Sequence, residues 1–562
     1  MSADAAPPED GAAPPRKSLS RNTAVMAAGT ATSRALGLIR NALLVAAIGV
    51  NTVAADAYDI ANRLPNVMFA ILAAGVLNAV LVPQMVRAFQ RTGGKRTVDR
   101  ILTIGTVLSL VVTVVATLSA QLWVLLYTDN WPPEMVALAT AFSFWCIPQL
   151  FFYCLYTLLG EVLNSREQFG PFMWAPVLNN VVAIAGLGVY LAMFGQYALP
   201  EVPGADLATI DEWTPTRIAV LAGFATLGIA MQALVLLIPL ARGGYRWRWV
   251  WRGPKGELSA VGTIAKWSLL AVLVEQVAVT LVTRVAASAS IEGGAAVAGN
   301  MAYFQALSLY LVPHSLITVS LVTAMYTGMA RYAVKGNIRA LRSGTSRGLR
   351  VTGVFTIFAT IAMIVVAPLL VRVALPSASV QEVESVAQVM VALLLGLVPL
   401  GATVLIKRLY FALEEARSIF FMHIPMALVW VATAYAFQEF ADPRWWTVGV
   451  GLGMALSNWT GVLLRAGGLR TRLGGGGGGA VMRTHVRALG AGLVAGVAGW
   501  LVLRIKPDLD SFVGWSGVFA AATLILGAGA VMLVVYAGML KALRVSEFDE
   551  ATGPIVRRFR RR

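Results

Sequence analysis

The sequence predicts an all-α polytopic membrane protein with about fourteen spans, arranged as two six-helix lobes around a central cavity plus two C-terminal helices. Three observations carry this. Of 562 residues, 58% are hydrophobic and 13% charged, whereas soluble domains carry about 25% charged residues. The mean hydropathy is +0.72, which excludes a water-soluble globule. The chain also parses into apolar runs near the roughly 20 residues that a bilayer crossing requires, separated by short polar gaps. The net charge of +17 does not indicate nucleic acid, because the basic residues fall in those gaps and on alternate sides.

The runs centre near residues 36, 70, 112, 147, 183, 227, 273, 315, 362, 397, 428, 455, 494 and 526, by apolar patterning. One side receives Arg16, Lys17 and Arg21, then clusters from Arg87 to Arg100, Arg242 to Lys255, Arg331 to Arg350 and Arg465 to Arg487, and the tail from Lys541. The other receives Asp129, Glu134, Glu201, Asp206, Asp211, Glu212, Glu382, Glu384, Glu439 and Asp442. The positive-inside rule assigns the basic side to the cytoplasm. The reading is therefore a multi-pass protein of the cell membrane with both termini cytoplasmic, which requires an even number of spans.

Residues 1–20 lack an apolar core and read as a disordered cytoplasmic tail, not a signal peptide. Residues 21–250 form the first lobe and 251–472 the second. Residues 473–482 hold six consecutive glycines, Gly474 to Gly479, and read as a flexible linker. Two further spans occupy 483–543, and 544–562 is a basic cytoplasmic tail. A faint repeat supports two lobes: Phe172, Met173 and Pro176 recur as Phe421, Met422 and Pro425, an offset of 249 residues. Pro65 and Asn66 recur as Pro313 and His314, and Ser33 and Arg34 as Thr283 and Arg284. Copies six spans apart share one orientation, which implies a pseudo-two-fold axis along the membrane normal.

Enzyme chemistry is poorly supplied. Cys146 and Cys154 are eight residues apart, about 12 Å along a helix, too far for a disulfide. His314, His423 and His485 stand far apart, and no metal-ligand, triad, Walker or HExxH spacing occurs. The expectation is a transporter with no cofactor and no metal site, driven by the membrane potential or an ion gradient whose ion the sequence does not identify.

Charge inside the bilayer is costly and normally faces protein or water. The first span carries Arg34 and Arg40, and the second carries Asp56, Asp59 and Arg63. Asp59 and Arg63 have the spacing and order of a helical ion pair. Arg40 lies at a similar depth to Arg63 and is expected to reach Asp56 or Asp59. Arg34 is deeper and has no local partner, which makes it the candidate anion ligand, since a guanidinium fork holds phosphate oxygens and keeps its charge. Glu275 and Arg284 are too far apart to pair, so each needs another partner. Lys407 and Arg408 are expected to snorkel to headgroups. Pro65, Asn66 and Asn78 interrupt the second span, and Pro313 and His314 the eighth. Freed backbone groups survive only facing protein or a wet cavity, so these residues and Ser33 are the expected cavity-lining or helix-breaking set.

At this point the residues carry a resemblance. Ser33 to Arg40 resembles the first-helix signature of the MurJ (MviN) lipid II flippases of the MOP exporter superfamily. Ala55 to Tyr58, Leu64 to Asn66, Ala74 and Gly75, and Leu81 to Pro83 resemble its second-helix block, while Leu163, Asn164, Phe169, Pro171, Ala175, Pro176, Leu178 and Asn179 resemble a later one. Residues 71–84 and 312–325 are most similar to actinobacterial members. The resemblance implies transfer of an undecaprenyl-diphosphate-linked peptidoglycan precursor, lipid II, from the inner to the outer leaflet, and a tail groove on the last two helices. It places Arg34, Arg40 and Asp56 in the substrate cavity, and two departures make that cavity less basic than in better-known members unless Arg63 and Arg284 compensate. Those departures are Phe69 and Ser308, which stand where many members have arginine. The eleventh span also lacks the acid that holds sodium in some relatives. The implied partners are lipid II, membrane lipids and cell-wall synthesis or division proteins, with no nucleic acid. Two alternatives stay open: another MOP-type exporter of a polyprenyl-linked glycan or amphipathic drug, and a non-transporting membrane scaffold of cell-wall synthesis.

Overall fold

An apolar run in lipid has no water to satisfy its amides, so each run closes its hydrogen bonds on itself as a helix. A computed structural model describes residues 16–74, 77, 81, 85, 94–166, 168–197, 207–251, 263–294, 297–413, 415–474, 478–504, 512 and 514–548, and the described residues form helices and no strand. The first lobe comprises α1 (Arg16–Ile48), α2 (Val53–Leu72), α3 (Lys95–Leu118), α4 (Ala120–Tyr127), α5 (Pro133–Cys146), α6 (Gln149–Ser165), α7 (Phe169–Phe194), α8 (Pro215–Leu234) and α9 (Leu237–Arg242). The second comprises α10 (Thr263–Gly293), α11 (Asn300–Pro313), α12 (Val319–Val334), α13 (Ile338–Val365), α14 (Ala367–Ala374), α15 (Val380–Leu394), α16 (Leu397–Ala412), α17 (Ala416–Phe440) and α18 (Trp446–Leu473). The terminal pair is α19 (Gly478–Leu503) and α20 (Gly514–Ala542).

Among the described residues, twelve helices are long and apolar enough to cross a bilayer, or thirteen if α15 and α16, bent by 45° at their break, make one crossing. The expected fourteen is not reproduced. The second run is the one not counted: its described helix α2 carries Asp56, Asp59 and Arg63 within 20 residues, and most of 75–93 lies outside the described residues.

The repeat is visible in the packing. In the first lobe α1 lies on α7, α7 on α8, α2 on α5 and α3 on α6; in the second α10 lies on α17, α17 on α18, α11 on α15 and α13 on α16. Interruptions repeat as well. Ser119 separates α3 from α4 as Val366 separates α13 from α14, and Pro148 precedes α6 as Gly396 precedes α16. Pro176 and Pro425 sit inside α7 and α17.

Several boundaries shift. Helix α1 already begins at Arg16, inside the stretch read as a tail, and residues 1–15 lie outside the described residues. Helix α19 starts at Gly478, so part of the expected linker is helical; Gly474 closes α18 in the left-handed conformation at φ 74°, where glycine carries no Cβ penalty. At the start of the expected C-terminal tail, Val545 and Glu547 are buried and Glu547 pairs with Arg350.

The terminal pair has its own hydrophobic core with α13 and α14. Gly492 and Gly496 approach Ile361, and Gly499 approaches Met532, the close contact that small residues permit between helices in lipid. Tyr536 donates to the Val354 carbonyl oxygen at 2.6 Å.

Candidate functional site

Helix α2 starts cleanly because Thr52 caps it, accepting from the Ala55 amide at 2.9 Å. It runs through the buried Pro65 without stopping, so that proline does not break the helix as expected. One face then presents Asp59, Asn62, Arg63 and Asn66 to a cavity of about 570 Å³ between the lobes. The first lobe adds Arg40, Tyr153, Asn179 and Gln232, and the second Glu275, Thr283, Asn300 and Tyr303. Phe304, Leu307, Trp430 and Met454 line the same space, so polar and charged groups share the cavity with apolar ones, as an amphipathic ligand requires.

The predicted charges divide. Arg63 donates to Asp59 Oδ2 at 2.5 Å, as its spacing predicts, and also to Thr283 Oγ1 on α10 at 2.9 Å. The pair therefore serves the cavity wall and the lobe interface at once. Arg40 lines the cavity but pairs with neither Asp56 nor Asp59; its contact is Asn41 Oδ1 at 3.5 Å. Asp56 does not line the cavity. It is fully buried, accepting from Ser290 Oγ at 2.6 Å and from the Met301 amide at 2.8 Å, and a Cβ on Gly299 would collide with its carboxylate. Arg284 is also outside the lining and pairs with Asp129 at 2.9 Å. Arg34 is exposed, its guanidinium makes no ion pair or hydrogen bond with a described residue, and its charge reaches His314.

Ser33 accepts from Asn180 Nδ2 through its carbonyl oxygen at 2.8 Å and its hydroxyl at 3.1 Å, so it joins α1 to α7. Pro313 ends α11, and His314 opens a π-helical turn, His314–Thr318, a distortion frequent at functional sites. Asn66 donates to the Asn62 carbonyl, and Asn78 lies outside the described residues. Phe69 packs its ring against Tyr153 at 5.7 Å. Lys407 is half-buried within electrostatic reach of Glu275 and Arg465, so it faces protein instead of the headgroups; Arg408 lies over the Tyr326 ring at 5.4 Å.

The lobes hold together at the end that carries the acidic loops. There, besides Asp56 and Arg63, Glu382 accepts from the Val50 amide at 2.7 Å, Asn51 donates to Ser385 Oγ at 3.1 Å, and Trp131 donates to the Ala287 carbonyl at 3.1 Å. Glu382 also caps its own helix through Ser379. At the basic end the named contacts stay within a lobe: Lys95 with Asp99 at 2.7 Å, Arg166 with the Gly243 carbonyl at 2.8 Å, and Arg472 with Glu415 and Ser418. Among the described residues no group of three or more His, Cys, Asp and Glu is placed to hold a metal ion.

Sequence reasoning missed Asn62, Tyr153, Asn179, Gln232, Asn300 and Tyr303. Their signal was available, since amides and phenols inside apolar runs need partners or water.

A family model described as lipid II flippase MurJ matches residues 44–513. A probable lipid II flippase MurJ of Synechocystis sp. is 27% identical over 231 residues, 41% of this chain and 41% of the relative, so the match spans about two-fifths of that protein. The corresponding protein of Rhizobium meliloti is 25% identical over 414 residues, 71% of this chain and 72% of the relative. A solved lipid II flippase MurJ in an inward closed conformation is similar at TM-score 0.68 and 17% identity, covering 92% of this chain and 99% of that one. An inward-facing multidrug resistance transporter of the MATE family, in the MOP superfamily, is similar at TM-score 0.57 and 16% identity, covering 80% and 96%. The structural likenesses place the fold among these transporters, and the family model covers most of the length: the chain belongs to the lipid II flippase MurJ family.

Proposed function

We propose that this protein carries lipid II across the cell membrane by alternating access, with the basic end and both termini in the cytoplasm. The observation that supports it best is the cavity shared by both lobes, which inter-lobe hydrogen bonds between described residues close at the acidic end. A diphosphate must leave water to cross, and guanidinium groups replace its hydration with charge-assisted hydrogen bonds. Arg40 lines the cavity, and Arg34 lies six residues nearer the basic end, about 9 Å along α1, exposed and outside that lining. Arg34, unpaired among the described residues, receives the diphosphate first. Energy comes from the membrane potential or an ion gradient, and the terminal pair holds the lipid tail.

Depleting the protein in its host and measuring the leaflet distribution of lipid II tests the function; unchanged distribution refutes it. Arg34→Ala is expected to lower flipping at least tenfold at near-normal expression, because each charge-assisted bond contributes about 1.5–3 kcal/mol. Arg34→Lys recovers only part, keeping charge but losing the fork. Full complementation by Arg34→Ala would move the anion ligand to other residues.

A further inference from the structure

After α9 the chain turns at Gly244, in the left-handed region at φ 76°, and continues from Tyr245 to Trp251 without helix. Its sequence alternates: Arg246, Trp247, Arg248, Trp249, Val250, Trp251. In an extended segment alternate side chains fall on opposite faces. The three indoles accordingly form a ladder, with ring centroids 5.1 Å apart for Trp247 and Trp249 and 6.5 Å for Trp249 and Trp251.

The strap is pinned along its length to α3. Tyr245 donates to Asp99 Oδ1 at 2.7 Å, Lys95 donates to the Arg246 carbonyl at 2.9 Å, and the Val250 amide donates to Thr103 Oγ1 at 3.2 Å. Thr103 stands eight residues into α3, about 12 Å from its basic end, so the strap descends beside the helix from the water boundary. Trp249 and Trp251 nevertheless remain 60% and 58% exposed. Arg246 and Arg248 are exposed too, and their guanidinium groups make no ion pair or hydrogen bond with a described residue.

Trp247 is half-buried and donates to Thr103 Oγ1 at 3.4 Å, but no described residue accounts for the exposed indoles of Trp249 and Trp251 or for the unpaired guanidinium groups of Arg246 and Arg248. Indoles favour the membrane–water interface, where an apolar body and a polar N–H are both satisfied. At that depth the available anions are lipid phosphates, which arginine grips bidentately. A zwitterionic head group offers its own ammonium to its phosphate; a net-negative one matches two unpaired cations. We propose that residues 245–251 are a preformed binding site for anionic phospholipid head groups at the basic end, with the ladder seated at the acyl boundary and Arg246 and Arg248 on the phosphates.

The test uses the full-length protein in mixed micelles, with native mass spectrometry comparing retained phosphatidylglycerol and phosphatidylcholine. Wild type is expected to prefer phosphatidylglycerol. The double variant Arg246→Gln/Arg248→Gln should lower phosphatidylglycerol affinity at least tenfold and leave phosphatidylcholine unchanged. Arg246→Lys/Arg248→Lys, which keeps the charge, should lose about threefold. Trp249→Ala/Trp251→Ala should weaken both lipids. A Gln variant that retains the wild-type preference overturns the site. So does a wild type that binds soluble polyglutamate without preferring phosphatidylglycerol, since the strap would then fit an acidic protein. Should the Gln double variant fail to fold, the single changes Arg246→Gln and Arg248→Gln are read the same way, each expected to cost about fivefold.

Discussion

The two ends of the bundle are held together differently. At the acidic end Asp56, Arg63, Asn51 and Trp131 of the first lobe bond to Ser290, Met301, Thr283, Ser385 and Ala287 of the second. At the basic end Lys95, Arg166 and Arg472 spend their bonds inside their own lobes. The difference teaches which end must rearrange for the cavity to change sides. It also shows that the seal is built largely from neutral donors around a few buried carboxylates, so it can reform without moving net charge through lipid.

Freezing the seal should have the largest effect. Cysteines at Asn51 and Ser385, joined by a short bis-methanethiosulfonate that releases a sulfinate at each end, are expected to cut transport at least tenfold while leaving the protein folded. The native Cys146 and Cys154 are buried and do not compete. Continued transport by the joined protein would show that this end does not open.

Removing the buried anchor comes next. Asp56→Ala strands the Met301 amide and leaves Ser290 Oγ only its longer bond to the Ala287 carbonyl at 3.3 Å, and lost hydrogen bonds to a charged group cost about 1.5–3 kcal/mol each. A clear drop in thermal melting temperature is expected, with Asp56→Asn between wild type and alanine. The third effect belongs to Arg63→Ala, which leaves Asp59, 6% exposed, without its partner at a cost of about 3–5 kcal/mol. The double change with Asp59→Asn should restore part of the folded yield, and a failure to restore any would mean that the Thr283 bond matters more than the ion pair. The smallest effect is expected at Asp129→Asn. Its pair with Arg284 is 44% and 30% exposed, so solvent screening leaves at most about 0.5 kcal/mol, below the resolution of a melting curve.

Much of this was legible in sequence, and the remainder was hidden for physical reasons. Span positions follow from apolar runs, because burial in lipid is a property of the run itself. The breaks at Ser119 and Val366 were invisible, since an apolar chain kinks without becoming polar. The Asp59 and Arg63 pair was readable because helix geometry alone sets it. Asp56 was misassigned to the cavity because its partners, Ser290 and Met301, lie more than two hundred residues away and only tertiary packing brings them close. Arg40 was expected to seek a carboxylate on α2, yet both carboxylates already had better-placed donors. For the cavity the charges drew attention, while the amides of Asn62, Asn179 and Gln232, which line the same wall, did not.

The glycine seam of the terminal pair has a consequence for the order of synthesis. The face of α13 that bears Ile357 and Ile361 is emitted long before α19, whose Gly492 and Gly496 cover it. The second lobe thus leaves the ribosome with an uncovered apolar stripe that lipid must wet until the terminal pair arrives; among the described residues, the core that the terminal pair shares is with α13 and α14 of the second lobe. Assembly intermediates should accordingly be arrested with the first lobe finished and the second still exchanging lipid for helix.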